Sequence, residues 1–287
     1  MKIKHIGKIK CGQDGAVYKS ELFRFDHRGN CSVYNLSNLQ NDNVCELNPI
    51  AEFKLDRLEE IVPHSNSVCF GCEFYEENDT YPLLYTNIYN NYSKADDKLM
   101  GICCVYRIQR INNEFKSTLV QLIEIGFCEN PNLWKVSPEE HGVRPYGNFI
   151  IDKDTGAYWA FVMRNEDLGT RYFRFDLPSP HLGETDTRFN VKKVVLNNTD
   201  IQEYFDCEYH HFIQGATVHK GKIYSTEGFR NDVVNRPAIR IIDLATKQEK
   251  YFNIMDLGFI DEPECIDFYE NMCLYSDYEG NLYTVEF

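Results

Sequence analysis

Short apolar runs alternate with clusters of turn residues along the whole chain, which is the signature of closely spaced β-strands. The clearest unit lies between Ile213 and Met255. Gln214-Gly-Ala-Thr-Val218 turns at His219–Gly221 into Lys222-Ile-Tyr-Ser-Thr226. A polar loop, Phe229 to Pro237, leads to Ala238-Ile-Arg-Ile-Ile-Asp-Leu244, and Thr246–Gln248 turns the chain into Lys250-Tyr-Phe-Asn-Ile254. Four strands so connected form an antiparallel meander.

The same order recurs. One unit has Gly15–Tyr18, Leu22–Phe25, Ser32–Leu36 and Ala51–Leu55, and the next has Ser67–Phe70, Leu83–Asn87, Gly101–Ile108 and Thr118–Ile123. A third has Asn148–Ile151, Ala157–Met163, Tyr172–Leu177 and Val191–Leu196. The last, Cys265–Phe268, Met272–Tyr275 and Leu282–Phe287, is one strand short, and Ile3 to Ile9 has no other place. If that opening segment completes the last unit, the ring closes and two sheet edges vanish. The expected fold is therefore all-β, a five-bladed β-propeller of four-stranded antiparallel blades closed by the N-terminal strand, with residues 1–287 as one domain. Five units in 287 residues average about 57 each, above the roughly 40–50 of common propeller repeats. The surplus lies in Asn38–Pro49, Asn90–Leu99 and Asn130–Gly142. Helix is expected only as single turns at Ile201–Phe205 and Glu139–His141.

Composition sharpens this picture. The hydrophobic share of 43% supports a real core, and 19 Tyr with 19 Phe suit pleated surfaces. A formal net charge of −14 excludes a generally basic nucleic-acid protein. No apolar run is long enough for a membrane helix or a signal peptide. The 11 cysteines sit mostly in strand-like runs and are read as reduced, buried apolar groups of a cytoplasmic protein.

A propeller brings together the residues just before each innermost strand. These are Gln13 and Asp14, His64 with Asn66, Arg144 with Tyr146, His210 and His211 with Gln214, and Glu262 with Glu264; adjacent in a strand, the two histidines point to opposite faces, so at most one faces the channel, and His211 is taken. Polar groups are costly to bury without partners, so their recurrence at one position predicts a mouth that binds a small polar ligand, a carbohydrate or a carboxylate. Loops between second and third strands add Asn90, Asn91, Tyr92, Arg164, Glu166, Asp167, Glu227 and Arg230, and Tyr89, Tyr92, Tyr146 and Phe229 offer flat faces for a sugar or similar ring. Asp14 and Glu264 are the acid/base candidates if the protein is a glycan hydrolase, although blade two lacks the further Asp such enzymes use. A protein-interaction scaffold is the third reading. Cys69-Phe-Gly-Cys72 is a lone pair without a second at zinc spacing and is expected to pack. A site from His64, His211 and Glu264 is the weaker alternative, so no metal and no cofactor are expected. Nucleophile elbows and phosphate loops are absent.

The stretch from Gln214 to Phe229, followed by Ile-Ile-Asp-Leu, resembles blades of bacterial five-bladed propellers of the helveticin and teichoic-acid-associated type, and Glu262-Pro-Glu-Cys-Ile-Asp-Phe268 resembles the Glu-Pro-Glu opening of related propellers. The resemblance spans about a quarter of the chain. It implies the fold and carries no catalytic motif.

Overall fold

Strand after strand buries one face against the next blade, and this packing sets the architecture. The structure is a computed structural model that describes residues 1–37, 39, 45–61, 65–88, 102–112, 114–125 and 148–287. Blade 1 comprises β2 (Gly15–Tyr18), β3 (Glu21–Phe25), β4 (Asn30–Asn35) and β6 (Ala51–Lys54). Blade 2 comprises β7 (Val68–Phe70), β8 (Leu84–Ile88), β9 (Ile102–Ile111) and β10 (Glu114–Ile125). Blade 3 comprises β11 (Phe149–Asp152), β12 (Ala157–Asn165), β13 (Gly169–Asp176) and β16 (Glu203–Cys207). Blade 4 comprises β17 (Ile213–His219), β18 (Lys222–Glu227), β19 (Ala238–Asp243) and β20 (Glu249–Asn253). Blade 5 comprises β21 (Pro263–Tyr269), β22 (Met272–Asp277), β23 (Asn281–Glu286) and the N-terminal β1 (Lys2–Lys8).

The closure expected from the sequence is present. Strand β1 pairs antiparallel with β23, Ile3 opposite Val285 and His5 opposite Tyr283. The short β5 (Cys45–Glu46) then runs parallel along β1 and covers part of its edge. Inner strands touch in a closed circuit: β2 meets β7, β7 meets β11, β11 meets β17, β17 meets β21, and β21 meets β2. The core follows the same circuit, with one apolar cluster at each blade–blade interface. Phe23 and Phe70 pack edge to face between blades 1 and 2, their ring centroids 5.0 Å apart. Tyr85, Val105, Phe149 and Tyr158 fill the next interface, and Trp159, Phe205, Ile213 and Ile242 the one after. Ile239 and Tyr275 join blades 4 and 5, and Val17, Leu22 and Leu274 join blades 5 and 1. The protein is a five-bladed β-propeller.

One outer strand differs from the expectation. Lys192–Leu196 (β15) does not complete blade 3; it runs parallel to β10 of blade 2, carrying the two-residue β14 (Glu184–Thr185) on its far edge. The outer place of blade 3 goes to β16, which includes residues expected to form a helical turn; the 3-10 turn lies just before it, at Asn198–Asp200. Side-chain alternation explains the choice. Phe205 turns inward onto Tyr172, with stacked centroids 5.1 Å apart, while Tyr204 turns outward under Arg171. The 12-residue β10 offers an edge that β15 satisfies. Glu139–His141 lies outside the described residues, as do the loops Asn90–Leu99 and Asn130–Gly142.

Candidate functional site: the channel mouth

Each inner strand begins at the mouth, and the residues before it are cross-linked from blade to blade. Asp14, fully buried, accepts the Val68 amide through Oδ2 at 2.8 Å, which ties blade 1 to blade 2. The Ser67 hydroxyl donates to the Phe149 carbonyl at 2.7 Å, tying blade 2 to blade 3. Asn87 donates to Asn66 at 2.5 Å and to Asn148 at 3.5 Å. Gln214 donates to the Glu262 carboxylate at 2.7 Å and to the Gly228 carbonyl at 3.2 Å, tying blade 4 to blade 5. Gln13 donates to Glu264 Oε1 at 3.1 Å and ties blade 5 to blade 1.

Among these ties lie two buried carboxyl groups, Asp14 and Glu264. Burial pushes the Asp14 carboxyl well above the usual carboxylate range, against the pull of the Val68 and Gly15 amides and of Arg24. Burial does the same to Glu264; Arg24 opposes it, while Glu262 and Asp14 add to it. Glu262, half-buried, is raised by burial as well. Glu264 Oε2 and Asp14 Oδ1 are buried without a well-formed hydrogen bond among the described residues, although the Gly15 amide leans on the Asp14 carboxyl. The Asp14 carboxyl and the Glu264 backbone fit here because position 215 is glycine. A Cβ there would lie 2.9 Å from Asp14 Oδ1 and 2.4 Å from the Glu264 carbonyl oxygen.

The guanidinium nearest these carboxyls belongs to Arg24, which is 2% exposed. It donates instead to the Gly12 and Asp277 carbonyls, at 2.7 and 3.1 Å. Its charge acts on Asp14 and Glu264 through space, without a direct ion pair. At the opposite end of the channel Asp267 accepts the Val17 amide at 2.7 Å and the Thr217 hydroxyl at 2.9 Å, with Lys153 from blade 3 at 3.7 Å. These groups knit the floor.

The sequence-derived residues thus divide. Gln13, Asp14, Asn66, Gln214, Glu262 and Glu264 line the mouth. Glu227 sits between blades 3 and 4, fully buried, and receives Arg240 Nε at 2.6 Å and the His211 amide at 3.2 Å. The His211 ring turns to Asn235, at 3.2 Å. Arg164 pairs with Asp206 at 3.0 Å, and Arg230 with Asp261 and Glu279 at 3.1 and 2.7 Å, while Glu166 and Asp167 are exposed. His64, Arg144, Tyr146, Tyr89, Asn90, Asn91 and Tyr92 lie outside the described residues. Cys69 is buried and Cys72 exposed, both as free thiols. Arg24 and Arg240 were not among the sequence-derived candidates. Their one sequence signal is a charge inside an apolar run, Leu22-Phe-Arg-Phe25 and Ala238-Ile-Arg-Ile-Ile242.

No protein-family model and no curated protein matches the chain. Among solved structures, Sqt1 from Saccharomyces cerevisiae aligns over 93% of this chain and 55% of its own, at 9% identity and a TM-score of 0.36. BamB from Moraxella catarrhalis aligns over 96% of this chain and 58% of its own, at 7% identity and a TM-score of 0.35. The chain spans a little over half the length of either.

Proposed function

We propose that this propeller is a binding protein whose channel mouth holds a small polar ligand, a carbohydrate or a carboxylate. The observation that carries the reading is Glu264: a buried carboxyl with Oε1 held by Gln13 and Oε2 left without a protein partner among the described residues. Such a group is costly to bury unless something completes its hydrogen bonding. Burial pushes this carboxyl towards its neutral form, which can donate as well as accept and so suits a sugar hydroxyl or a ligand carboxylate. Gln214 and Glu262, already bonded to each other, form the adjoining wall. The hydrolase reading asks Asp14 to move protons, but its Oδ2 is committed to the Val68 amide, which favours a positioning role.

The interaction-scaffold reading has its own support. Phe212, Val233, Val234 and Ile260 are exposed on loops at the mouth end of blades 4 and 5, where the Asn231 amide bonds the Ile260 carbonyl at 2.8 Å. Ancestry among helveticin-type propellers rests on the blade motifs alone. A cytoplasmic location is supported by Cys103 and Cys104, which are buried in a sheet as free thiols. Among the described residues no helix is long and apolar enough to cross a membrane, and the acidic balance disfavours a nucleic-acid partner.

The test is calorimetric titration with a panel of neutral monosaccharides and a panel of small carboxylates such as succinate. Saturable binding by at least one compound is expected, weakened about tenfold or more, ~1.4 kcal/mol, in Glu264→Ala and Gln13→Ala. No binding across both panels, or binding that both variants retain, overturns the reading.

A further inference from the structure

A second constellation lies away from the mouth, between the outer parts of blades 3 and 4. Cys207 ends β16, and His210 follows at C-x-x-H spacing. Glu249 opens β20 in the next blade. Cys207 Sγ is 3.4 Å from His210 Nε2, and Glu249 Oε2 is 3.7 Å from the same nitrogen. All three donor atoms lie within 4.8 Å of one another. A tetrahedral zinc ion bound by sulfur, imidazole and carboxylate at its ordinary bond lengths separates such donors by about 3.4–3.6 Å. The two separations at His210, 3.4 and 3.7 Å, lie at the edges of that range, and the Cys207–Glu249 pair lies within 4.8 Å.

The surroundings supply what such a site needs. His210 is fully buried, and its other ring nitrogen, Nδ1, faces Glu227 Oε1 at 3.7 Å and the Tyr172 hydroxyl at 3.4 Å. A carboxylate behind a ligating histidine fixes its tautomer and strengthens the ligand. The second oxygen of Glu249 is held by the Glu208 amide at 2.9 Å, leaving Oε2 directed at His210 and at Arg240 Nη1, 2.9 Å away. The thiol also lies 3.4 Å from the Thr170 carbonyl, and one S–H proton cannot serve both that oxygen and His210.

As the ion binds, the thiol proton leaves to solvent, and the resulting thiolate and the Glu249 carboxylate face the ion, with Arg240 Nη1 2.9 Å from Glu249 Oε2.

We propose that Cys207, His210 and Glu249 bind a divalent transition ion, zinc by ligand preference, with water in the fourth position at the part-exposed rim. Glu227 and Arg240 act as positioning residues behind the ligands.

The test uses full-length protein stripped with a chelator and titrated with Co2+ alone, then with Zn2+ as competitor. One equivalent of Co2+ is expected to give the intense visible bands of a tetrahedral ion and a near-ultraviolet thiolate-to-cobalt band, both abolished by Zn2+. Cys207→Ser should lose the thiolate band. Glu227→Gln should weaken binding about 10- to 100-fold. Cys72→Ser, an exposed thiol outside the cluster, should leave the spectrum unchanged. Folded wild-type protein that shows no thiolate–cobalt band overturns the proposal. So does a Cys207→Ser variant, folded by circular dichroism, that keeps the band.

Discussion

Arg24 and Arg240 are both about 2% exposed, and each lies among buried carboxyl groups, yet they are used in opposite ways. Arg240 binds Glu227 directly through Nε at 2.6 Å and Glu249 through Nη1 at 2.9 Å. Burial works against the charge of Glu249, but His210, the Glu208 amide and Arg240 outweigh it and hold that carboxyl below the usual range. Arg24 gives its two hydrogen bonds to backbone carbonyls from Nη2 alone, with Nε and Nη1 buried without a well-formed partner among the described residues, and the nearby Asp14 and Glu264 are driven upward by burial. Burial dominates for the fully buried Asp14 and Glu264, whereas for the partly exposed Glu249 direct partners outweigh it. At the blade 3–4 interface Arg240 pairs directly with its carboxylates, beside the donor atoms of Cys207, His210 and Glu249. At the channel mouth Glu264 Oε2 keeps hydrogen-bonding capacity in reserve, which a binding site requires.

The largest expected difference is between the two arginines themselves. Arg240→Met should cost about 3–5 kcal/mol, because it leaves Glu227 buried without its cation. Arg24→Met should cost about 1–3 kcal/mol, since it strands two carbonyls and no ion pair. Urea unfolding of both variants checks the order. Equal losses would erase the contrast drawn here.

Gly215→Ala probes the mouth. The added methyl must push on the Glu264 carbonyl and the Asp14 carboxyl, so a loss of about 1–3 kcal/mol is expected. It should be accompanied by weakened ligand binding, read by denaturation and calorimetry together. Wild-type stability and binding in this variant would show that the two inner strands are farther apart than described.

The smallest effect is on the pH dependence. A carboxyl raised in the folded state holds a proton that the unfolded chain has released, so its contribution falls as pH climbs from the ordinary carboxylate range to the raised value. Asp14→Asn and Glu264→Gln remove that slope. Each variant should gain on wild type in melting temperature between pH 5 and pH 8. Parallel curves would mean that the two carboxyls ionise normally.

Much of the fold was legible because it depends on local alternation. Inner strands such as Gln214–Val218 and third strands such as Ala238–Leu244 carry their own period and turn signals. Blade 3's outer strand was not legible. Lys192–Leu196 and Glu203–Cys207 are both short strands, and only the inward packing of Phe205 on Tyr172 selects the second. The site divides for the same reason. Gln13, Asp14 and Glu262 precede inner strands and Glu264 is the second residue of one, so all four could be named and fold symmetry then places them. Arg24 could not, because its partner Asp277 is more than 250 positions away and the contact exists only after the ring has closed. His211 was singled out over His210, yet His210 is the fully buried one; a strand-like alternation assigns the two to opposite faces without saying which face meets the next blade.

A carboxyl-carbon NMR titration of Glu264, assigned through Glu264→Gln, tests the mouth most directly. The account predicts a midpoint well above the ordinary carboxylate range and a resonance that moves when a bound sugar or carboxylate is added. An ordinary midpoint, insensitive to every compound that binds the protein, would contradict it.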